Sequence, residues 1–426
     1  MTDTTNTASG EKGEFMELLL QVITILLGFQ LVFTIWNLRQ MPRLGDTVKR
    51  QSWEQVHAKS SALRDNEQIR TSTDTSIDAR SAMDRHELPL LSVLIPARNE
   101  EVNIRECLQS VLDCRTDTMR LEILVINDHS EDRTEQEITT LMQTDDRIRL
   151  FQGKPLPEEW MGKSYACHQL SKHAQGDWWL FIDADVRLEK EALEAAMVTA
   201  RSQGTGLISG FPRMDTGTWL ERIVVPMMAF IIGYHLPIMM VRRSPRTFFL
   251  AVTGAWLMIH RDSYARTGGH ARIANHIVED MELAKAVKSV GDPVTLADVH
   301  RHTSARMYRN AAQVWEGYKK NIFVGTGRNA WLVLGIVCVY TLLFLVPLAA
   351  LGVGTLTAQP VLVSWAVAAM LIGMITKGII DQFSGKPFWM GVLMPLGALF
   401  MILILLDSWI SSLNGKGYSW KGRTYG

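Results

Sequence analysis

Apolar and polar positions divide the chain into three regimes. Residues 16–38 are mostly apolar with scattered polar positions, enough to cross a hydrocarbon core that needs about 20 helical residues. This run predicts a transmembrane anchor behind an N-terminal tail of residues 1–15. A cleaved signal peptide is the competing reading, but the run is long, lacks a basic segment in front and has no small-residue cleavage site behind it. Three more apolar runs, 330–354, 360–380 and 388–406, predict a membrane region over 330–407 with two to three spans, followed by a basic, aromatic tail at 408–426.

Between these regions the pattern is that of a water-soluble domain. Residues 46–87 are polar, rich in Ser, Thr, Asp and Arg and without apolar periodicity, so they predict a linker or loosely held insertion. From Leu90 short apolar runs alternate with amphipathic ones. Strands are expected at 91–95, 121–126 and 178–182, and helices at 100–112, 131–142 and 164–174. The predicted class is α/β, a mostly parallel sheet covered by helices on both faces over residues 90–298. In such sheets ligands sit beyond the carboxyl ends of the strands. A segment at 299–328 is expected to join this domain to the membrane and to border the site. The apolar stretch 223–241 is interrupted by Pro226, Gly233 and Pro237 and followed by Arg242, Arg243 and Arg246; it predicts an interfacial segment, or else an ordinary hydrophobic subdomain with a basic loop.

Charge changes this picture by exclusion. The chain of 426 residues has 44 basic and 44 acidic residues, which argues against a nucleic-acid binder relying on bulk positive charge. Its four cysteines show no paired spacing, so neither a zinc site nor a disulfide framework is indicated. Arg39, Arg43, Lys49 and Arg50 follow the first apolar run and Lys319, Lys320 and Arg328 precede the second, so the middle domain is expected in the cytoplasm of a multi-pass membrane protein. Three full C-terminal crossings would put Lys416, Lys421 and Arg423 outside, against the same rule. One of the later runs is therefore expected to be re-entrant or interfacial.

The candidate chemistry follows the strands. After the first comes Pro96-Ala-Arg-Asn-Glu-Glu101, after the second Asn127-Asp-His-Ser-Glu131, and after the third Asp183-Ala-Asp185. Each cluster alone reads equally well as a turn and helix cap; three in register point to one edge of the sheet. Asp183 and Asp185 can hold a hard divalent cation, Mg2+ or Mn2+, that bridges the two phosphates of a nucleoside diphosphate. Farther on, Val278-Glu-Asp-Met-Glu282 opens a helix. Its carboxylates either complement the helix dipole or supply a base; Asp280 is the candidate, with Glu279 as its neighbour and substitute.

These residues together resemble family 2 glycosyltransferases of the GT-A fold. Pro96 to Glu101, Asp128, Asp183-Ala-Asp185, Thr253-Gly254 and Glu279-Asp280 stand in that family's order over about Leu91 to Asp298. The resemblance implies that Pro96, Glu100, Asp128 and Asp183 belong to the donor site, that Asp185 is the foremost metal ligand, that Thr253 and Gly254 lie toward the acceptor, and that Asp280 is the base of an inverting single displacement. Leu156-Pro-Glu-Glu-Trp-Met-Gly-Lys163 resembles a segment of the membrane-bound branch associated with carotenoid and hopanoid pathways, which implies that Lys163 reaches the donor diphosphate. Ser419-Trp-Lys-Gly-Arg-Thr-Tyr425 resembles the tail of that branch and, more loosely, of ceramide glucosyltransferases.

Two departures from the pattern matter. Processive synthases and ceramide-type enzymes carry Gln or Arg, two residues, then Arg-Trp after the base; here the region reads Arg306-Met-Tyr-Arg-Asn310, and Arg306 or Arg309 is expected to meet phosphate instead. His300 and His302 both stand where a third metal ligand could come from. The expected partners are a nucleotide-diphosphate sugar, a UDP-sugar first, a lipid-like acceptor and the membrane. The alternatives are a processive polysaccharide synthase and a catalytically silent scaffold, although four converging carboxylates would repel each other without a cation.

Overall fold

The computed structural model describes residues 4–47, 88–414, 418–420 and 423–425. Most of the expected 46–87 insertion, and Lys421 of the tail, therefore lie outside the described residues. The chain opens with one long helix, α1 (Thr4–Leu38), which starts well before the expected anchor. No proline stands between Thr4 and Met16, so a helix nucleated in the apolar stretch propagates back through them.

The middle domain alternates strand and helix as its pattern dictates: β1 (Leu90–Ala97), α2 (Ile104–Leu112), β2 (Arg120–Asn127), α3 (Thr134–Met142), β3 (Ile148–Gln152), α4 (Gly162–Ser171) and β4 (Trp178–Ile182). Then come β5 (Val186–Leu188), α5 (Ala192–Gln203), β6 (Leu207–Ser209), β7 (Arg213–Met214) and three short helices, α6 (Trp219–Val224), α7 (Pro226–His235) and α8 (Ile238–Arg243). The domain closes with β8 (Trp256–His260), α9 (Arg261–Thr267), α10 (Gly269–Arg272), α11 (Glu279–Ser289), β9 (Val294–Leu296) and β10 (Thr303–Ala305).

The main sheet has the order β3-β2-β1-β4-β8-β6-β9. β1 is parallel to both β2 and β4, so the chain reverses its direction of travel between them and leaves a crevice at their carboxyl ends. The sheet is mixed, because β8 runs antiparallel to β4 and to β6. Period-two alternation places Leu91, Val93 and Ile95 in one core with α2, α3 and α5. Leu94, Phe181 and Leu257 join the other core with α4 and α11. Both faces of the central strands are therefore apolar, as a covered sheet requires.

Beyond β10 the chain forms α12 (Ala311–Gly325) and then the apolar helices α13 (Ala330–Tyr340), α14 (Val346–Leu356), α15 (Pro360–Phe383) and α16 (Met394–Leu413). A π-turn at Thr341–Leu345 joins α13 to α14, a 3-10 turn at Phe388–Leu393 leads into α16, and β11 (Tyr418–Trp420) pairs with β12 (Arg423–Tyr425) as a terminal hairpin. Among the described residues four helical stretches are long and apolar enough to cross a membrane: Gly13–Leu38, Ala330–Leu356, Pro360–Phe383 and Phe388–Leu413. They present large apolar side chains outward, including Phe29, Val32, Trp331 and Leu356.

The broken stretch 223–241 becomes α6–α8, with Pro226 at the first turn of α7, where a missing N–H costs nothing, and Pro237 as the cap of α8. Asn37 of α1 holds this break. Its amide donates to the carbonyls of Gly233 (3.0 Å) and Leu236 (2.7 Å), and its oxygen accepts the Ile238 N–H (2.8 Å). Thus α6–α8 share one apolar core with α1 and the C-terminal helices.

The path of α16 differs from that of α15. The end of α15 lies against the soluble domain, since a side chain at Gly385 would meet Arg213 and His300. From there residues 388–391 pack back against Met374 and Gly378. Along α16, Gly397 adjoins Ile223 and Met227, Phe400 meets Trp219, and Asp407 accepts from Trp315 (2.7 Å) and pairs with Lys319 (3.0 Å) of α12. Both ends of this segment therefore touch elements adjoining the soluble domain.

Candidate active site

The loops after β1 and β2 are woven together. Asn99 and His129 both have positive φ, 52° and 55°, a conformation that costs energy in residues other than glycine and persists only where neighbours hold it. Here the Asn99 N–H donates to Ser130 Oγ (3.0 Å), Asn99 Oδ1 accepts from the Glu131 N–H (2.9 Å), and the Glu100 N–H donates to Thr134 Oγ1 (2.7 Å). These bonds explain why α2 and α3 begin at Ile104 and Thr134, a few residues later than periodicity predicts. Asp128 is buried at this edge, its N–H bonded to the Ala97 carbonyl and its own carbonyl accepting from Arg98, both within 2.8 Å. Glu100 is linked through Asn103 (2.9 Å) to Arg309 (2.8 Å), so two expected donor-site residues reach the same loop.

The deepest part of the crevice brings the other candidates together. Pro96, Lys163, Asp183, Gly254, Glu279 and Asp280 line one cleft, with Phe181, Leu257 and Leu283 as apolar wall. Lys163, on the first turn of α4, places its ammonium 2.6 Å from Asp183 and 3.5 Å from Glu279. Burial acts to lower its pKa, but the carboxylates of Asp183 and Glu279 outweigh that and raise it well above the usual range, so it stays charged. The docking of Trp160–Lys163 onto the loop after α10, through a Met161 N–H to Ala274 carbonyl bond of 2.7 Å, fixes this lysine's approach.

Asp280 sits at the N-terminal turn of α11. One oxygen accepts the Gly254 N–H (2.7 Å) and the other its neighbour's N–H at Met281 (2.7 Å). Burial first and the adjacent Glu279 second push its pKa up to about 7, against the opposing pull of Lys163 and the two N–H groups. A carboxyl poised there exchanges a proton near neutral pH. Gly254 allows the close approach: a side chain there would stand 3.0 Å from the Lys163 ammonium and 3.5 Å from Glu279. Thr253, just before it, is held by reciprocal bonds with Ser209 and stands behind the cleft rather than in its wall.

The remaining expectations are placed elsewhere. Asp185 follows Asp183 at the end of β4, on the side facing the Tyr308 loop. Arg306 is paired with the buried Glu221 that caps α6, 3.5 Å away, and is not in the cleft wall. His300 is engaged by Asp298, whose backbone in turn bonds residues 42 and 44. Among the described residues no group of three His, Cys, Asp or Glu side chains is arranged to hold a metal ion, so neither His300 nor His302 completes such a set with the two aspartates.

Sequence reasoning missed two polar residues. His270 lines the cleft; the signal was the Gly268-Gly269 pair before it, both at positive φ. Lys320 of α12 lies within electrostatic reach of Glu279, Asp183 and Asp280; burial lowers its pKa while these carboxylates oppose the change. In the sequence it read only as a flanking charge.

With this geometry in place, the family comparison is decisive. Residues 92–265 match the model of glycosyl transferase family 2. The chain carries a family 2 glycosyltransferase domain. The glycosyltransferase is 28% identical over 346 residues to 4,4'-diaponeurosporenoate glycosyltransferase of Staphylococcus aureus (strain USA300), a match covering 79% of this chain and 88% of the relative. Among solved structures it is similar to the mannosyltransferase PcManGT from Pyrobaculum calidifontis in complex with GDP-Man and Mn2+, with 15% identity, a TM-score of 0.47, and coverage of 92% of this chain and 99% of that one. It also resembles S. aureus TarS 1-349 in complex with UDP-GlcNAc, with 16% identity, a TM-score of 0.39, and coverage of 77% and 93%.

Proposed function

We propose that the protein transfers one sugar from a nucleotide-diphosphate sugar to the hydroxyl of a lipid-like acceptor, with inversion, in a cleft beside the cytoplasmic face of a membrane. The observation that carries this reading is the convergence of Lys163, Asp183, Glu279 and Asp280 in one cleft of a domain packed directly on apolar helices. Asp280 takes the proton of the acceptor hydroxyl as its oxygen bonds the anomeric carbon; the bond from that carbon to the diphosphate breaks, and the nucleoside diphosphate leaves with the electron pair. Lys163 meets the diphosphate charge, and Asp128 and Glu100 border the nucleoside at the carboxyl ends of β1 and β2.

A divalent cation fits the donor set at the end of β4. Asp183 and Asp185 offer hard carboxylate oxygens, and an ion such as Mg2+ or Mn2+ commonly takes one or two carboxylates and completes its shell with substrate phosphates and water. Such an ion would supply charge neutralisation for the leaving diphosphate.

The acceptor reading rests on the shared core of α6–α8 with the apolar helices and on the carotenoid-related acid in the relative's name. It places a polyene or other long apolar alcohol at the cleft without passage through water. The contacts of α16 with Trp219, Trp315 and Lys319 support a segment that enters the membrane and returns, which brings Lys416, Lys421 and Arg423 to the same side as the catalytic domain and satisfies the basic-residue rule.

The test is turnover by detergent-purified protein with UDP- and GDP-sugars, with and without Mn2+ or Mg2+, on extracted membrane lipids read by mass spectrometry. One hexose-sized increment that needs metal is the expected result. A ladder of sugars would favour the processive reading, and neither binding nor turnover with any donor would favour a scaffold.

A further inference from the structure

His270 is built into the cleft with more care than a packing residue needs. It is 4% exposed, yet lines the same cleft as Lys163 and Asp280. Its ring is fixed on two sides, by the Tyr264 hydroxyl at Nδ1 (2.9 Å) and by Phe181, which it meets edge-on at 5.2 Å. The same hydroxyl accepts the His270 backbone N–H (3.1 Å). Gly269 makes this possible: at φ 55°, any side chain there would collide with the Tyr264 ring.

These bonds fix the tautomer. A hydroxyl that accepts the backbone N–H directs its own hydrogen to the neighbouring acceptor, Nδ1, and the proton of a neutral imidazole is then on Nε2. Burial, with Lys163 and His168 as added positive charges, holds the imidazole neutral, its pKa lowered to about 3. What remains for a ligand is one oriented, uncharged N–H donor at an apolar wall, close to the lysine that faces the diphosphate.

We propose that His270 is a sugar-binding residue, donating its Nε2–H to a hydroxyl oxygen of the transferred sugar. The inference rests on the glycosyl-transfer reading above and deepens it. A cation suits the diphosphate and Lys163 provides one; a neutral N–H adds little to that charge but discriminates strongly for a hydroxyl, because a buried polar group left unpaired is costly. Tyr264 is a positioning residue that acts through His270.

The test uses the full chain in detergent, with UDP, UDP-glucose, GDP and GDP-mannose as probes and Mn2+ present, and reads both affinity and thermal stability. In His270→Phe, which keeps a planar ring, affinity for the nucleotide sugar that the wild type binds falls on the order of tenfold. Affinity for the corresponding nucleoside diphosphate stays within about twofold. His270→Gln, which returns an N–H at a similar reach, recovers most of the loss, and Tyr264→Phe gives an intermediate loss. Unchanged nucleotide-sugar binding in His270→Phe overturns the proposal. Equal weakening of diphosphate and nucleotide sugar in both His270 variants, with unchanged melting temperature, also overturns it by moving the contact to phosphate. A wild type that binds none of the four probes would instead sink the glycosyl-transfer reading itself.

Discussion

Asp280 accepts the backbone N–H of Gly254 at 2.7 Å, so the candidate base on α11 is oriented by the loop that leads into β8. Its pKa of about 7 has a consequence for catalysis: kcat/KM is expected to rise through about pH 7 and level off above it, as the base loses its proton. Asp280→Asn is expected to lower turnover on a hydroxyl acceptor by about 10²- to 10⁴-fold with donor affinity nearly unchanged. Normal turnover in that variant on an acceptor that is already an ionised acid would assign Asp280 to orientation rather than proton transfer.

The same group carries a stability cost. The folded pKa lies above the value of an unfolded aspartate, about 3.9, so folding favours the protonated form and stability falls as pH rises between the two values. Asp280→Asn is therefore expected to melt higher than the wild type at pH 8 and to lose that advantage toward pH 4. Melting curves in detergent across that window check the sign.

Lys163→Met removes the ammonium that faces Asp183 and Glu279. Lys163 also lowers the pKa of Asp280, so its loss is expected to move the acid limb of the rate profile to higher pH and to weaken nucleoside diphosphate binding. A limb that stays in place would show that the lysine is too well screened to set the base.

Asn37→Leu leaves two carbonyls and one N–H at the α7–α8 break without their partner. At about 1–3 kcal/mol for a buried polar group left unpaired, the loss is expected to exceed about 3 kcal/mol, read as a lower melting temperature with the donor site still able to bind.

Lys377 and Asp381 form a fully buried ion pair one turn apart on α15. Removing either partner alone is expected to cost about 3–5 kcal/mol, whereas Lys377→Met combined with Asp381→Leu recovers most of it, since a well-packed apolar pair replaces two desolvated charges. A double variant as unstable as the singles would mean that Asp381 serves a further partner.

A cysteine placed in the C-terminal tail, in a variant lacking the native Cys338, is expected to be labelled by membrane-impermeant reagent from the same side as the catalytic domain. Labelling from the opposite side would mean that α16 crosses completely.

The sequence by itself determined the layout: apolar length set the helices able to span, period-two runs set β1, β2 and β4, and short polar clusters marked the strand ends. These are local properties, readable because a strand buried on both faces or a helix in lipid constrains every residue along it. The tertiary structure alone decided which charges meet. Lys163 and Glu279 are far apart in sequence and 3.5 Å apart in the fold; Arg306, equally plausible from its charge, is claimed by Glu221. His270 reached the cleft only because Gly268 and Gly269 turn the chain beneath Tyr264, and α16 turns back only through its packing against α6 and α12. Such pairings depend on packing between distant segments, and no local pattern encodes them.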